Sequence, residues 1–224
     1  MDIAVFYARH CLEGARLRMA NSDTACTGVI LTGGLNKRFS GRNKAMLEVG
    51  GRRIIDCIFE AFRAIFEEIL IVTNDPAAYL EFDATIVSDI FSVKSSLTGI
   101  HAGLFYARNP FIFAAACDTP FLKEALVRAI LDRIEANAGV VVPETQAGME
   151  PLCAVYSKTC LPVMERHLTE EKLKIQRFFK FFRVKKVPEA VLRQADPELI
   201  SLFNINTPED LRRAQSWSGP GVLR

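Results

Sequence analysis

Residues 28–44 read GVILTGGLNKRFSGRNK, and the fold of the whole chain follows from this stretch. Val29, Ile30 and Leu31 form a short apolar run, the pattern of a buried strand. Gly33 and Gly34 end it, because glycine reaches backbone angles that other residues resist. The polar segment that follows carries Lys37, Arg38, Arg42 and Lys44. A strand feeding a glycine-containing, cation-rich loop suits an anion such as a polyphosphate. Backbone N–H groups approach it at the glycines and the cations offset its charge. An ordinary strand end followed by a solvated basic loop has the same local pattern, so the loop alone leaves both readings open. Two common phosphate loops are absent: Gly41 is followed by Arg42 rather than by Lys and Ser or Thr, and there is no G-x-G-x-x-G.

Working outward, residues 52–68 place Ile54, Ile55, Ile58, Phe59, Phe62, Ile65 and Phe66 on one face at helical spacing, with Asp56, Glu60 and Arg63 opposite. Further buried strands are expected at residues 69–73, 85–88, 111–117 and 140–142, and helices at 97–108 and 122–137. Strands alternating with helices predict an α/β fold, a Rossmann-like, mostly parallel sheet covered by helices on both faces. In such sheets ligands bind beyond the carboxyl ends of the strands. Gly33, Gly34, Asn74, Asp89 and Asp118 occupy those positions on four separate strands and are expected to converge on one rim.

The second half is less regular. Residues 149–156 read as a strand containing Glu150-Pro151, and 160–167 as a helix. Residues 172–186 carry seven basic residues and no acidic one. There Ile175, Phe178, Phe179 and Phe182 share a helical face, with Lys174, Arg177 and Lys180 on the other. That is either a packed helix with a solvated basic side or a site for an anionic second substrate. Residues 202–205 read as a short strand leading to Thr207, a suitable N-cap, with Pro208 as first helical residue and Asp210 at N3.

Composition narrows the function classes. The 224 residues suit one domain, and 50% hydrophobic content supplies a substantial core. A net charge of +2 argues for neither nucleic acid nor a membrane surface. No apolar run reaches the roughly 18 residues of a membrane span. The six cysteines form no C-x-x-C pair. With Cys57, Cys117 and Cys153 in apolar stretches, buried free thiols in a reducing cytoplasm are expected. Residues 1–26 are expected to be an extension before the domain, with Met19 as an alternative start, the domain to span 27–214, and residues 215–224 to fray.

Leu31, Gly33, Gly34, Arg38, Phe39, Gly41 and Lys44 match the L-A-G-G-x-x-x-R-[MF]-G-G-x-D-K signature of molybdenum cofactor guanylyltransferases, the MobA family of nucleotidyltransferases, which the chain resembles. Thr32, Ser40 and Asn43 depart from it, standing where the family has Ala, Gly and Asp. Residues 116–121, ACDTPF, resemble the family's C-D-x-P-[FY] motif, and residues 204–211, NINTPEDL, its N-[VI]-N-T-P-E-[DE]-L motif. The resemblance runs from about Thr27 to Ala214 and implies transfer of GMP from GTP to the terminal phosphate of molybdopterin, with release of pyrophosphate.

On this resemblance Asp118 holds Mg2+ (with Mn2+ as an alternative). Leu31, Gly33, Gly34, Arg38 and Lys44 meet the nucleotide, and Asn74 and Asp89 lie beside guanine and ribose. Lys44, Arg38 and Asp118 are the implied catalytic groups. Glu150, Pro151, Lys174, Arg177, Asn204 and Asn206 are candidates for the molybdopterin side. The implied partners are GTP, molybdopterin and other Mo-cofactor proteins or apo-molybdoenzymes. The nucleophile is a phosphate monoester, mostly dianionic at neutral pH, so no general base is required. His10, His101 and His167 are accordingly read as structural or surface residues. Alternatives are a cytidylyltransferase for the same pterin, a sugar-phosphate nucleotidyltransferase, or a catalytically silent nucleotide-binding protein.

Overall fold

The computed structural model describes residues 24–33 and 43–217. Gly34, Arg38, Phe39, Ser40, Gly41, Met19 and residues 218–224 lie outside the described residues. The strands are β1 (Cys26–Leu31), β2 (Glu48–Val49), β3 (Arg52–Arg53), β4 (Ile69–Val72), β5 (Thr85–Val87), β6 (Phe111–Ala116), β7 (Val140–Thr145), β8 (Gly148–Met149), β9 (Cys153–Ser157) and β10 (Val184–Pro188). The α-helices are α1 (Ile54–Arg63), α2 (Ser96–Tyr106), α3 (Glu124–Leu131), α4 (Leu161–Thr169), α5 (Ile175–Phe179), α6 (Glu189–Ala195) and α7 (Pro208–Trp217).

The main sheet runs β10-β7-β9-β6-β1-β4-β5, with β8 paired to β7. β6, β1, β4 and β5 are parallel, whereas β9 is antiparallel to both β6 and β7. Side chains alternate across the sheet at the strand's period of two. Ile30 faces the core built with Ile54, Ile58 and Phe62 of α1, Leu126 of α3 and Leu192 of α6. Val29 and Leu31 face the opposite core, with Leu97 and Ile100 of α2, Met164 of α4 and Phe178 of α5. Both faces are therefore covered, as a parallel sheet of continuous apolar strands requires. The chain leaves β1 for β4 on one side and returns from β5 to β6 on the other, which makes β1 the switch point of the sheet.

Several expected elements are corrected. Arg52 and Arg53 belong to the β2–β3 hairpin, whose turn is made by Gly50 and Gly51 at φ 61° and 77°, so α1 starts only at Ile54. The strand expected at 149–156 is broken at Glu150-Pro151, where the chain turns from β8 to β9. Of the basic stretch 172–186 only Ile175–Phe179 is helical, and Val184–Pro188 is an edge strand. Among the described residues it pairs only with β7, and its VKKVP sequence lacks the apolar run of a buried strand, with Lys186 and Pro188 exposed and only Val187 buried. Residues 202–205 form no strand; a 3-10 turn at Ile200–Leu202 precedes an irregular segment. Residues 215–217 of the expected tail are the last turn of α7, and the Trp217 ring lies against Phe121 and Phe203. Cys57 is half-buried rather than buried, and Cys160 joins Cys117 and Cys153 inside.

Candidate active site

β1 ends at Leu31 and continues as Thr32 and Gly33; β4 leads to Thr73 and Asn74, β5 to Asp89, and β6 to Cys117 and Asp118. The backbone ladder extends past these ends: Thr32 N–H donates to Val72 O at 3.0 Å, Thr73 N–H to Val87 O at 2.9 Å, and Cys117 N–H to Leu31 O at 3.0 Å. These bonds fix the rim of a cleft of 590 Å³, within the roughly 300–1,000 Å³ range of ligand sites. Leu31, Gly33, Lys44, Asn74, Asp89 and Asp118 all line it. Asn74 Nδ2 donates to Asp89 Oδ2 at 2.8 Å, so the β4 and β5 ends are tied together.

The far wall is the start of α2, where Lys94, Ser95 and Ser96 line the cleft. Ser95 is the N-cap; its Oγ accepts from Thr98 N–H at 3.1 Å, and Thr98 Oγ1 donates to Val93 O at 2.7 Å. Two glycines let α2 lie close to β1. A Cβ at Gly103 would stand 2.7 Å from Val29 Cγ1, and one at Gly99 would stand 3.2 Å from Leu31 Cδ2. Lys94, Ser95 and Ser96 are site residues that lie outside the candidates drawn from the sequence. The available signal was Ser-Ser-Leu-Thr opening a helix just beyond the end of a strand, a helix N-terminus suited to anions.

Lys44 begins a 3-10 turn, Lys44–Met46, capped by Asn43, whose Oδ1 accepts from Ala45 N–H at 3.1 Å. Asn43 Nδ2 donates to the hydroxyl of buried Tyr79 at 2.8 Å, which shows how the neutral residue is used here. Lys44 Nζ donates to Ile205 O at 3.0 Å and to Asn206 Oδ1 at 3.2 Å, and lies 3.7 Å from Asp118 Oδ2. The other carboxylate oxygen, Asp118 Oδ1, is buried and, among the described residues, has no hydrogen-bond partner. Burial pushes the Asp118 carboxyl above its ordinary range, and Lys44 offsets only part of that.

That orphaned oxygen bears on metal binding. Among the described residues no group of three or more His, Cys, Asp or Glu could hold a metal ion. A single carboxylate beside a cleft fits a cation such as Mg2+, which takes most of its ligands from phosphate and water.

The candidates for the molybdopterin side are scattered, and none of the six lines the cleft. Glu150 and Pro151 are half-buried in the β8–β9 turn. Burial raises the Glu150 carboxyl, and Pro151 O accepts from Tyr156 Oη at 2.7 Å. Lys174 and Arg177 are exposed at α5. Asn204 Nδ2 donates to Leu202 O at 3.1 Å, whereas Asn206 sits on Lys44. His101 and His167 are buried; His101 Nε2 lies 3.4 Å from Glu165 Oε1, and burial lowers its pKa. Neither histidine lines the cleft.

Residues 28–187 match the family described as the MobA-like NTP transferase domain. The chain belongs to the MobA-like NTP transferase family. It is 45% identical over 192 residues to a molybdenum cofactor guanylyltransferase of Desulfosudis oleivorans, covering 86% of this chain and 95% of that protein. It is 36% identical over 198 residues to a probable molybdenum cofactor guanylyltransferase of Natranaerobius thermophilus, covering 86% and 96% of the two chains. Among solved structures, molybdopterin-guanine dinucleotide biosynthesis protein A from Archaeoglobus fulgidus superposes with a TM-score of 0.76 at 28% identity, over 85% of this chain and 97% of that one. As a MobA-like chain this protein is a nucleotidyltransferase, and its mixed, mostly parallel sheet with helices on both faces is the Rossmann-like architecture of that class. None of its described helices is long and apolar enough to cross a membrane.

Proposed function

We propose that this protein is a cytoplasmic molybdenum cofactor guanylyltransferase, transferring GMP from GTP to the terminal phosphate of molybdopterin with release of pyrophosphate. The observation that carries the reading is the pairing of Lys44 with a half-satisfied Asp118 at the carboxyl end of β6, inside a cleft formed by four strand ends and a helix N-terminus. The relatives named above support the choice of substrates.

The chemical obstacle is repulsion between two anionic phosphates, because the nucleophile is already dianionic near neutral pH. Lys44 supplies a cation where charge develops on the triphosphate. The N-cap end of α2, with Lys94, offers N–H donors and a second cation on the opposite wall. Asn74 and Asp89 present hydrogen-bonding groups to the nucleoside. Arg38 and Gly34 extend the same loop by sequence. A divalent ion held by Asp118 and the phosphates, Mg2+ or Mn2+, supplies charge neutralisation when bound. Two buried histidines stand outside the cleft, consistent with a reaction that needs no imidazole base.

The test is a panel of GTP, CTP and ATP with molybdopterin, read by pyrophosphate release. GTP should give acceptor-dependent release well above the others. Equal or faster release with CTP would sink the guanylyl assignment, and binding of nucleotide without release would make the protein a silent binder.

A further inference from the structure

The dipeptide Ile205-Asn206 touches both members of the charged pair in the cleft. Ile205 N–H donates to the backbone carbonyl of Asp118 at 2.8 Å, and its own carbonyl accepts from Lys44 Nζ. Asn206 presents a second acceptor to the same ammonium. An ammonium has only donors, so the Asn206 atom facing it is the oxygen. The dipeptide is itself held from both sides. Ile205 is fully buried in the core. Asp210 Oδ2 accepts from Asn206 N–H at 2.9 Å, from Thr207 N–H at 2.8 Å and from Thr207 Oγ1 at 2.9 Å. Asp210 N–H returns a bond to Thr207 Oγ1 at 3.1 Å, so the start of α7 is reciprocally capped. The capped helix thereby anchors the acceptors that face Lys44.

We infer that Asn206 is a positioning residue for Lys44, acting on the nucleotide side of the reaction rather than as a contact for the pterin. A lysine has a flexible four-carbon stem, and fixing it in the folded protein removes a rotamer-entropy cost that would otherwise fall when the triphosphate binds. Among the described residues two neutral acceptors bond the ammonium at 3.0 and 3.2 Å while the Asp118 carboxylate stands farther off at 3.7 Å, so the bonds that fix its position add no negative charge of their own. A carboxylate at 206 would hold it equally well but cancel the charge that attracts phosphate. The same reasoning separates Asn206 from Asn204, which bonds only to its own segment through Leu202 O among the described residues. This inference rests on the guanylyl-transfer reading for the identity of the nucleotide, but not for the geometry of the clamp.

The experiment is a double-mutant cycle on Mg·GTP affinity, measured by titration calorimetry without acceptor so that nothing turns over. Asn206→Ala should weaken GTP about tenfold and leave the KM for molybdopterin unchanged. In a Lys44→Ala background the same substitution should change GTP affinity less than twofold, because the group it positions is gone. Asn206→Asp keeps an oxygen toward Lys44 and adds a negative charge, and should weaken GTP more than Asn206→Ala does. A purely structural role for Asn206 would show no such dependence on charge or on Lys44. Additive losses in the cycle, or a loss confined to the molybdopterin KM, would overturn the clamp and leave guanylyl transfer standing. Should the parent prefer CTP, the guanylyl reading falls, and the same cycle run with CTP still decides the clamp. Thermal melts of the four variants guard the comparison; Asn206 is exposed, so its substitutions should stay within a few degrees of their background.

Discussion

Two aspartates show how differently one residue type is used in two regions of this molecule. Asp196 closes the corner after α6 and is fully buried. Its Oδ1 accepts from Lys123 Nζ at 2.7 Å and its Oδ2 from Ser201 N–H at 2.8 Å, while Ser201 Oγ accepts from Lys123 N–H at 3.1 Å. Burial alone would raise its carboxyl, but the bonds from Lys123 and Ser201 outweigh that and hold it below its ordinary range. Asp118, at the rim of the cleft, has one oxygen 3.7 Å from Lys44 and the other with no partner among the described residues, and its carboxyl is raised. The first region is satisfied by the fold. The second leaves one carboxylate oxygen unmet among the described residues, as a site does when its complement arrives with the substrate.

The comparison breaks most sharply at Asp196. Asp196→Ala leaves the Lys123 ammonium and the buried Ser201 N–H without their shared acceptor; Lys123 is 40% exposed and can turn to water, so the loss should be about 1–3 kcal/mol, carried mainly by the orphaned Ser201 N–H. Because the folded pKa is depressed, the stabilisation is present above the ordinary carboxylate range and fades as pH falls through the folded pKa. Denaturant melts of parent and variant should therefore converge in acid. A constant gap across pH would mean that packing, not charge, holds the corner.

Asp118→Asn should do the reverse. Activity should fall about 10²–10³-fold, with a weakened response to Mg2+. The folded, metal-free protein should be no less stable than the parent. A raised folded pKa means that stability is lost as pH rises from the ordinary carboxylate range through the folded value, and asparagine does not titrate. Thermal melts should favour the variant more at about pH 8 than at about pH 5. Unchanged Mg2+ dependence would reduce Asp118 to a structural residue.

The same contrast explains what the sequence made legible. Strands β1, β4, β5 and β6 have apolar runs closed by Gly33, Asn74, Asp89 and Asp118, so strand-end topology placed these residues on one rim without any contact being known. The cap at Thr207 and Asp210 was readable for a similar reason, since its bonds lie within four residues. Asn206 on Lys44 was not, because the contact spans 162 positions and depends on how α7 returns to the sheet. Edge strand β10 and the reversal at β9 were equally hidden. Direction within a sheet leaves no mark on periodicity, and an edge strand need not be apolar.

Lys174 and Arg177 test the less legible half at a smaller scale. Both are exposed at α5 and stand outside the residues lining the cleft. If they attract the anionic acceptor, the double substitution Lys174→Ala with Arg177→Ala should raise the molybdopterin KM about five- to tenfold, shrink its salt dependence, and leave GTP affinity unchanged. A KM that does not move would assign them to a solvated face of a helix packed through Ile175, Phe178 and Phe179.

The smallest expected effect is at Gly33, and it sharpens the nucleotide half alone. A Cβ at Gly33 would meet nothing within 4 Å among the described residues, and the residue is exposed, so Gly33→Ala should leave stability intact. Any change in kinetics must then come from the bound nucleotide. Guanine is larger than cytosine and presents N1–H and N2–H donors. At the rim, Asp89 Oδ2 already accepts from Asn74, which leaves Oδ1 for a ligand. Cytosine lacks that donor pair, so acceptors that the bound nucleotide shields from water would go unpaired at about 1–3 kcal/mol each. The parent should therefore prefer GTP over CTP by roughly ten- to several-hundred-fold in kcat/KM. An added methyl at the strand end crowds the purine more than the pyrimidine. Gly33→Ala should narrow the preference about three- to fivefold, through a higher KM for GTP with kcat for CTP little changed. Equal losses for both nucleotides would place Gly33 beside the triphosphate rather than the base.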